Sequence, residues 1–390
     1  MKRSRLAYFF PWVLLLIPLF MWLFWLLTPK KELVIAIIDK TVLNPAGQEH
    51  TSLTWILNHY RYTKNAVQSY SVDNDYFGFF PKDSEQFRIK GLERFDEPLL
   101  ERLSNDADMA YIADEYGIYN NEWYRKSNIA ERSGIVYGGL SAQDIEFLSK
   151  MKQKRKLIMA EFNTFGSPSA SAERYRFEEL FSLKWTGWIG RYFDILDTVK
   201  NKDIPHWLIN GYKAQHNNQW PFKGEGIVFV KEDNTIEILE QGHQLIVPIP
   251  EIITERASRE KYGLPEKFNY PYWFDIIVAD TAMNKVNARF VIHPNAAGRK
   301  LLQKNGIPET FPAIQSHQGK DYQFWYFSGD FCDNPITLTS SYFKGIEELK
   351  FLFRNRLDKT QRKSFFWTVY QPMVSTILAD YYQQYRKVKK

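Results

Sequence analysis

The sequence predicts an α/β protein with an N-terminal transmembrane helix, a doubly wound and mostly parallel sheet, a β-rich insertion and C-terminal helices. Three observations lead to this prediction. A charge-free apolar run covers residues 6–27. Short apolar runs of strand length alternate with helical periodicity over residues 33–200, which indicates βαβ units. Several of these runs end in polar residues, as parallel strands do at a ligand-binding edge.

The apolar run at residues 6–27 has the length and flanks of a membrane anchor. At about 1.5 Å per residue, such a helix crosses a hydrocarbon core of about 30 Å. A cleaved signal peptide is the alternative, but the run exceeds the usual length and no A-x-A site follows. The positive-inside rule predicts a cytoplasmic N-terminus. We therefore expect a single-pass protein of the cell membrane, with residues 1–31 as cytoplasmic tip and anchor and an extracytoplasmic body.

Residues 32–200 form the predicted α/β region. Continuous apolar runs predict buried strands at Leu33–Ile38, Asp108–Ala113, Gly134–Tyr137 and Leu157–Ala160. Helical periodicity predicts helices between and after them, at about Thr51–His59, after Ser141 and at Ala172–Phe181. Ser141 and Asp144 have the spacing of a capping box, which marks the start of the second helix.

The remaining residues divide into two predicted segments. Residues 201–320 predict a β-rich insertion or second half, with strands at Gly226–Val230, Ile236–Leu239, Leu245–Val247, Phe274–Ala279 and Arg289–His293. The last two are candidates for a return to the main sheet. Residues 321–390 begin with the strand Tyr322–Phe327 and continue in helices whose apolar residues recur at helical spacing.

Composition and charge exclude several functions. The 390 residues are 44% hydrophobic and 16% aromatic, which suffices for a large core. A single cysteine, Cys332, excludes an intrachain disulfide and a cysteine-based zinc site. The net charge is +6, but five of the basic residues flank the apolar run, so the body is nearly neutral. A nearly neutral body lacks the basic footprint of a nucleic-acid-binding protein, so no nucleic-acid partner is expected.

The order of elements over residues 33–200 resembles the class I glutamine amidotransferase-like (flavodoxin-like) fold, in particular its non-catalytic and sugar-related branches. The resemblance rests on the strand Asp108–Ala113, the segment GGLSAQDIEFLSKMKQKRKLIMAEFN and the helix ending RFEELFSL. A second resemblance, to a bacterial membrane-anchored family, rests on DKTV, EH, DEYGIY and GRYFD and implies no known reaction.

The nucleophile of that fold is absent from the sequence. Class I glutamine amidotransferases carry a cysteine in a glycine-flanked turn and a later His-x-Glu. Here no G-x-C-x-G occurs, and Cys332 follows Gly329-Asp330-Phe331. The resemblance therefore implies a domain without glutaminase activity. The G-x-S-x-G elbow of serine hydrolases is also absent.

Polar residues at the predicted strand ends form the candidate site, because ligands of doubly wound sheets bind beyond the carboxyl ends of the strands. Asp39, Asp114 and Glu161 are the candidate catalytic residues, since paired carboxylates serve as general acid and base in glycoside chemistry. The same acids could instead hold Ca²⁺ or Mg²⁺, although no cofactor is required. The alternative is that they are turn formers and caps. The candidate ligand-binding residues are Lys40, His50, Glu115, Asn163, Arg191 and Asp330.

Two of these candidates, His50 and Arg191, were chosen because of the residues around them in the sequence. His50 lies in the first βα loop, where it is a base, a metal ligand or simply a residue before the helix at Thr51. Arg191 lies in the aromatic stretch GWIGRYF, whose rings suit sugars while the arginine suits carboxylate or phosphate. Buried packing is the alternative for that stretch.

Two functions stay open from the sequence. The first is a cell-envelope protein that binds a glycan, an anion or a partner protein. The second is an envelope glycan hydrolase that uses a carboxylate pair, Glu161 with Asp114 or Asp39. The missing nucleophile motifs favour the first, and the acids at strand ends favour the second.

Overall fold

The computed structural model describes residues 6–124, 133–355, 357–358 and 360–389, with backbone only at residues 6–15, 385–386 and 388–389. Its α-helices are α1 (Leu6–Leu27), α2 (Thr51–His59), α3 (Glu97–Asp106), α4 (Asn120–Trp123), α5 (Ala142–Gln153), α6 (Ser171–Phe181), α7 (His206–Gln215), α8 (Arg256–Tyr262), α9 (Ala296–Lys304), α10 (Arg362–Phe365) and α11 (Gln371–Lys389). Short 3₁₀ segments lie at Leu92–Arg94, Leu338–Tyr342 and Ile346–Leu352, and a π-helical turn at Phe366–Tyr370 joins α10 to α11.

The strands are β1 (Lys31–Glu32), β2 (Ile35–Asp39), β3 (Tyr62–Thr63), β4 (Phe77–Pro81), β5 (Phe87–Lys90), β6 (Met109–Asp114), β7 (Ile118–Tyr119), β8 (Ile135–Tyr137), β9 (Leu157–Ala160), β10 (Leu183–Phe193), β11 (Gly226–Lys231), β12 (Ile236–Glu240), β13 (Leu245–Thr254), β14 (Lys267–Asn269), β15 (Phe274–Ala279), β16 (Lys285–Pro294), β17 (Thr310–Gln318) and β18 (Gln323–Phe327).

One mixed sheet of ten strands organises the molecule, in the order β14-β13-β16-β17-β18-β9-β6-β2-β4-β5. The central strands β18, β9, β6, β2 and β4 run parallel to one another. The flanking strands pair antiparallel on both sides. The chain order reverses at β2, which lies between β4 and β6. Such a switch point leaves a crevice beyond the carboxyl ends of the strands.

The parallel centre is buried on both faces, which explains why its strands are continuous apolar runs. Ile35 and Ile37 of β2 pack into the cluster that contains α2 and α11. Ala36 and Ile38 point the other way, into the cluster that contains α3, α5 and α6. The alternation of side chains along each strand therefore supplies two hydrophobic cores.

A second, antiparallel sheet has the order β12-β11-β10-β15. Helix α7 covers it through Leu208 and Tyr212. Its strand β15 meets the main sheet just after β18, where Phe274 bridges Gly329. The end of β10 and the segment before β15 are thereby brought close to the carboxyl edge of the parallel strands.

The prediction of a doubly wound, mostly parallel sheet is wrong. Five neighbouring pairs of the main sheet are antiparallel and four are parallel. The run at Gly134–Tyr137 lies outside the main sheet, where β8 pairs with β7. Residues 201–320 supply β13, β14, β16 and β17 to the main sheet. An apolar run predicts a strand but not its partner or direction. The division into residues 32–200, 201–320 and 321–390 stays a prediction.

The predictions of a membrane helix, a single-pass location and attachment through residues 6–27 are also corrected. Among the residues with described side chains, no helix is long and apolar enough to cross a membrane.

Candidate functional site

Asp39 and His50 form a buried pair at the end of β2. The Asp39 Oδ2 atom lies 2.7 Å from His50 Nδ1 and accepts a hydrogen bond from Glu49 N at 2.9 Å. Its Oδ1 atom accepts from Thr41 N at 3.3 Å. The His50 Nε2 atom lies 3.1 Å from the Val72 carbonyl oxygen. Both ring nitrogens therefore face oxygen atoms of the protein. The pair fixes the loop before α2.

Lys40 and Glu115 belong to a buried ion cluster. The Lys40 Nζ atom lies 2.8 Å from Glu115 Oε2 and 2.6 Å from Asp144 Oδ2, and it donates to the Gly139 carbonyl at 2.9 Å. Burial opposes the lysine charge, but Asp144 and Glu115 outweigh it and raise the pKa of Lys40 above its usual value. Asp144 also caps α5 by accepting from Ser141 N at 2.8 Å. The cluster holds the loop before α5 and does not face solvent.

Glu161 is buried beyond β9 with its hydrogen-bonding capacity used. Its Oε1 atom accepts from the Tyr111 hydroxyl. Its Oε2 atom accepts from Phe331 N at 3.1 Å and Cys332 N at 2.8 Å. Burial raises the pKa of Glu161 well above its usual range, and the Tyr111 hydrogen bond opposes that shift. Glu161 therefore fastens the segment after β18 to the sheet.

Asn163 donates a hydrogen bond to a second buried carboxyl group, that of Asp275. The sequence analysis did not name Asp275 as a candidate. Asn163 has a left-handed backbone with φ of 63°. Its N–H donates to Asp275 Oδ2 at 3.0 Å, and Tyr326 donates to the same oxygen. The other oxygen of Asp275 has no hydrogen-bond partner among the described residues. Burial raises the pKa of Asp275 to about 7. The sequence signal that could have identified Asp275 is its position as an acid inside the apolar run FDIIVA.

Among the predicted candidates, Asp39, Asp114 and Asp330 lie close enough to act on one another electrostatically, and residues that the sequence analysis missed join them. One carboxylate oxygen each of Glu49, Asp330 and Asp333 lies within 4.8 Å of the others. Arg362 donates to Asp330 Oδ2 at 2.5 Å and also to Asp333. We call Glu49, Asp114, Asp330 and Asp333 the acidic rim.

The carboxylates of the acidic rim act on one another electrostatically. Burial raises the pKa of Glu49 well above its usual range, and the charges of Asp330, Asp114 and Asp39 raise it further, against the opposing effect of Arg362. Burial likewise raises the pKa of Asp114, opposed by hydrogen bonds from Tyr116 and Thr41 and reinforced by Asp330 and Asp39. Glu49 and Asp114 therefore hold a proton more readily than ordinary carboxyl groups do.

A divalent cation is the one cofactor that this oxygen-rich group suggests. However, the Arg362 guanidinium already donates to Asp330 and Asp333. A cation would have to displace an arginine that is itself largely buried between its partners. Glu49 is the member of the trio whose carboxylate accepts no hydrogen bond in the described part of the chain.

Arg191 lies at the end of β10, beside a cavity of about 200 Å³. Its guanidinium carbon is 4.8 Å from the centre of the Phe193 ring and 5.5 Å from that of Trp273. Burial and the nearby Arg362 lower the pKa of Arg191. We call this space the Arg191 cavity; its lining residues are Arg191, Tyr192, Phe193, Asp194, Asn201, Asp203, Pro271, Tyr272 and Thr360.

Tyr272 and Trp273 connect the Arg191 cavity with the acidic rim. The Arg362 guanidinium carbon lies 4.3 Å from the centre of the Tyr272 ring, which lines the cavity. The Asp330 N–H donates to the Trp273 carbonyl at 3.2 Å. The structure therefore brings Arg191, Asp114 and Asp330 into one region, together with Glu49. Asp39 lies next to Asp114 but is buried against His50. The remaining candidates are also buried in contacts within the protein: Lys40, His50, Glu115, Glu161 and Asn163.

Comparison with known proteins gives only distant similarities. No family model matches the chain, and no curated protein matches it. A β-galactosidase from Bacillus circulans sp. alkalophilus has a TM-score of 0.30 at 10% identity, over 77% of this chain and 30% of its own. A ThuA-like protein from Parabacteroides merdae has a TM-score of 0.32 at 9% identity, over 77% and 79%. A carbohydrate deacetylase has a TM-score of 0.32 at 10% identity, over 87% and 33%. The chain thus spans about a third of two of these proteins.

Proposed function

We propose that this chain binds a carbohydrate in the Arg191 cavity. The observation that carries the proposal is the mixture of side chains around that space. Tyr272 and the stacked pair of Arg191 with Phe193 supply aromatic surface, while Arg191, Asn201 and Asp203 offer hydrogen-bonding groups. A sugar ring has apolar C–H faces that pack on aromatic rings and hydroxyl groups that pair with amides, carboxylates and guanidinium groups.

The size and the free donors of the cavity support a single sugar unit. At about 200 Å³, the space is smaller than the roughly 300–1,000 Å³ of pockets for drug-sized ligands. Arg191 stacks on Phe193 and Trp273, yet its guanidinium makes no hydrogen bond or ion pair with any other residue that the structure describes. Its N–H groups are therefore available to a ligand.

The test is a calorimetric titration of the purified protein with a panel of mono- and disaccharides. Arg191→Met should weaken binding of any sugar that the protein binds by about tenfold or more, because a hydrogen bond to a charged group contributes about 1.5–3 kcal/mol. The matched control is Arg256→Met, on the exposed face of α8, which should bind as the parent does. A panel without a single binder, or an Arg191→Met variant with unchanged affinity, would refute the proposal.

A specific observation favours glycoside hydrolysis at the acidic rim as a second candidate. Carboxylate oxygens of Glu49 and Asp330 lie no more than 4.8 Å apart, so the two acids are near enough to act on one bond, as the paired carboxyl groups of retaining glycosidases do. Glu49, with its raised pKa, would protonate the leaving oxygen, and Asp330 would attack the sugar carbon. Water would then cleave the glycosyl ester and return a proton to Glu49. This pair differs from the predicted one, Glu161 with Asp114 or Asp39. Glu161 and Asp39 each accept hydrogen bonds within the protein, and Asp330 is paired with Arg362.

Hydrolysis of aryl glycosides would test this second candidate. Glu49→Gln should lower the rate by about 10²–10⁴-fold, the usual contribution of general acid catalysis. Glu237→Gln, at a half-buried position of β12, serves as the control and should keep the parent rate. Equal rates for Glu49→Gln and the parent would eliminate the acid role.

A further inference from the structure

A second cavity also borders Tyr272. It measures about 220 Å³ and shares Pro271 and Tyr272 with the Arg191 cavity. Arg354, Gln361 and Thr368 also line it. We call it the Arg354 cavity. Because both spaces border Tyr272, a ligand longer than one sugar unit that occupies the first would extend toward the second.

Arg354 is an arginine without an acid partner in the described part of the chain. One terminal nitrogen donates to the Thr368 hydroxyl at 3.1 Å. Its Nε atom is buried and has no hydrogen-bond partner. Burying a charged donor without a partner is costly. Arginine donors are arranged as a planar fork that matches a carboxylate or a phosphate.

The other groups of the Arg354 cavity leave it rich in donors. Asp358 is an acid on its wall, but its Oδ1 atom accepts from the N–H and the hydroxyl of Thr360, at 2.9 Å and 2.7 Å. That oxygen is therefore engaged in its own turn, and the negative charge of Asp358 is held there by the two Thr360 donors. The Gln361 carbonyl oxygen accepts from Asn355 N at 2.7 Å and from Ser364 at 3.0 Å. With its oxygen thus occupied, Gln361 has its amide N–H₂ as the remaining polar group.

We propose that the Arg354 cavity is an anion subsite that receives the carboxylate of an acidic sugar whose neighbouring unit lies in the Arg191 cavity. The assignment to a sugar rests on the proposed function, whereas the anion subsite rests on Arg354 itself. A carboxylate and a free phosphate share the chemistry that the arginine fork recognises. The ligand class is therefore an acidic glycan that contains uronate.

The experiment is a calorimetric titration with cellobiouronic acid and with cellobiose, which differ only in a carboxylate for a hydroxymethyl group. Inorganic phosphate is the third probe. The parent protein should bind the acidic disaccharide about tenfold or more tighter than the neutral one. Arg354→Met should remove that preference and leave the affinity for cellobiose unchanged. Arg191→Met should weaken both disaccharides, and Arg256→Met should change neither.

The outcomes separate the two proposals. Equal affinity for the two disaccharides, or a preference that survives Arg354→Met, overturns the anion subsite and leaves the proposed function intact. Binding of phosphate alone that Arg354→Met abolishes, with neither disaccharide bound, overturns the acidic-glycan assignment and the proposed function while the anion subsite stands. If Arg354→Met fails to fold, Arg354→Lys replaces it in the test, because lysine keeps the charge but lacks the planar fork of donors. The preference of Arg354→Lys for the acidic over the neutral disaccharide should be smaller than that of the parent.

Discussion

Replacement of Lys40 by methionine tests whether the strand-end charges of β2 and β6 are structural. Lys40 is a fully buried cation whose Nζ atom lies 2.8 Å from Glu115 and 2.6 Å from Asp144. Methionine fills a similar volume without the charge. The substitution therefore leaves two buried carboxylates beside each other with no cation between them.

The expected cost follows from the partners that remain. Asp144 keeps its hydrogen bonds from Ser141, at 2.8 Å from the N–H and 2.7 Å from the hydroxyl. Glu115 has no hydrogen bond to either carboxylate oxygen apart from its ion pair with Lys40. Removing one partner of a buried ion pair costs about 3–5 kcal/mol. We expect the free energy of unfolding to fall by that amount, a large part of the roughly 5–15 kcal/mol of an ordinary domain.

Urea unfolding at neutral pH, followed by tryptophan fluorescence, measures this loss. The control is Lys285→Met, at an exposed position of β16, which should change stability by less than about 0.5 kcal/mol. The double variant Lys40→Met with Glu115→Gln should recover part of the loss, because it removes one uncompensated charge. The pKa of Lys40 is raised on folding, so its contribution is complete below the unfolded value of about 10.4 and is lost as pH rises beyond it.

A loss below about 1 kcal/mol for Lys40→Met would refute this reasoning, since a buried pair broken on one side costs several times more. It would mean that the lysine charge is compensated by solvent. Lys40 would then again be a candidate for ligand binding, as the sequence suggested. A large loss together with unchanged sugar binding in the folded fraction would assign the residue to the fold alone.

Three further predictions follow from the buried acids. Asp275→Asn should remove a pH dependence of about 4 kcal/mol in urea unfolding. Because the pKa of Asp275 is about 7 in the folded state, its stabilisation is complete below about pH 4 and is lost as pH rises through 7; a parallel pH profile for the variant would contradict this. Asp39→Asn should lower stability by about 2–3 kcal/mol, since the carboxylate accepts from His50 and two backbone N–H groups; a higher melting temperature would instead indicate strained acids. Millimolar Ca²⁺ should leave the melting temperature of the parent unchanged, because Arg362 already occupies the carboxylates of Asp330 and Asp333. The same Ca²⁺ should stabilise the Arg362→Gln variant by roughly 1 kcal/mol. Stabilisation of the parent would show that the acidic rim binds the ion despite Arg362.

Local features were readable from the sequence because they depend on near neighbours. The strand Leu157–Ala160 and the helix Thr51–His59 have the predicted bounds. The Ser141 and Asp144 side chains form the predicted capping box. Each of these rests on apolar runs, helical spacing or a three-residue cap, all of which act within one turn or one strand.

The site was only partly readable, because its members come from distant parts of the chain. Asp114 and Asp330 were predicted at strand ends and do share one region with Arg191. Glu49 was passed over for its neighbour His50, whose ring is turned into the protein against Asp39. Arg362 carried no local signal, yet it supplies the cation between Asp330 and Asp333.

The sequence by itself determined some elements, such as the strand Leu157–Ala160 and the helix Thr51–His59, since hydrophobic periodicity and caps are local properties. Other elements, such as β10, β17, α3 and α9, were not predicted. Only the tertiary structure decided which strands pair, in which direction, and which charges are buried. Lys40 meets Asp144 across 104 residues, and strands from residues 245–327 complete the main sheet. The physical reason is that burial and ion pairing depend on long-range contacts, so an acid that looks alike in the sequence can fasten a loop, as Glu161 does, or join a group of carboxylates, as Asp330 does.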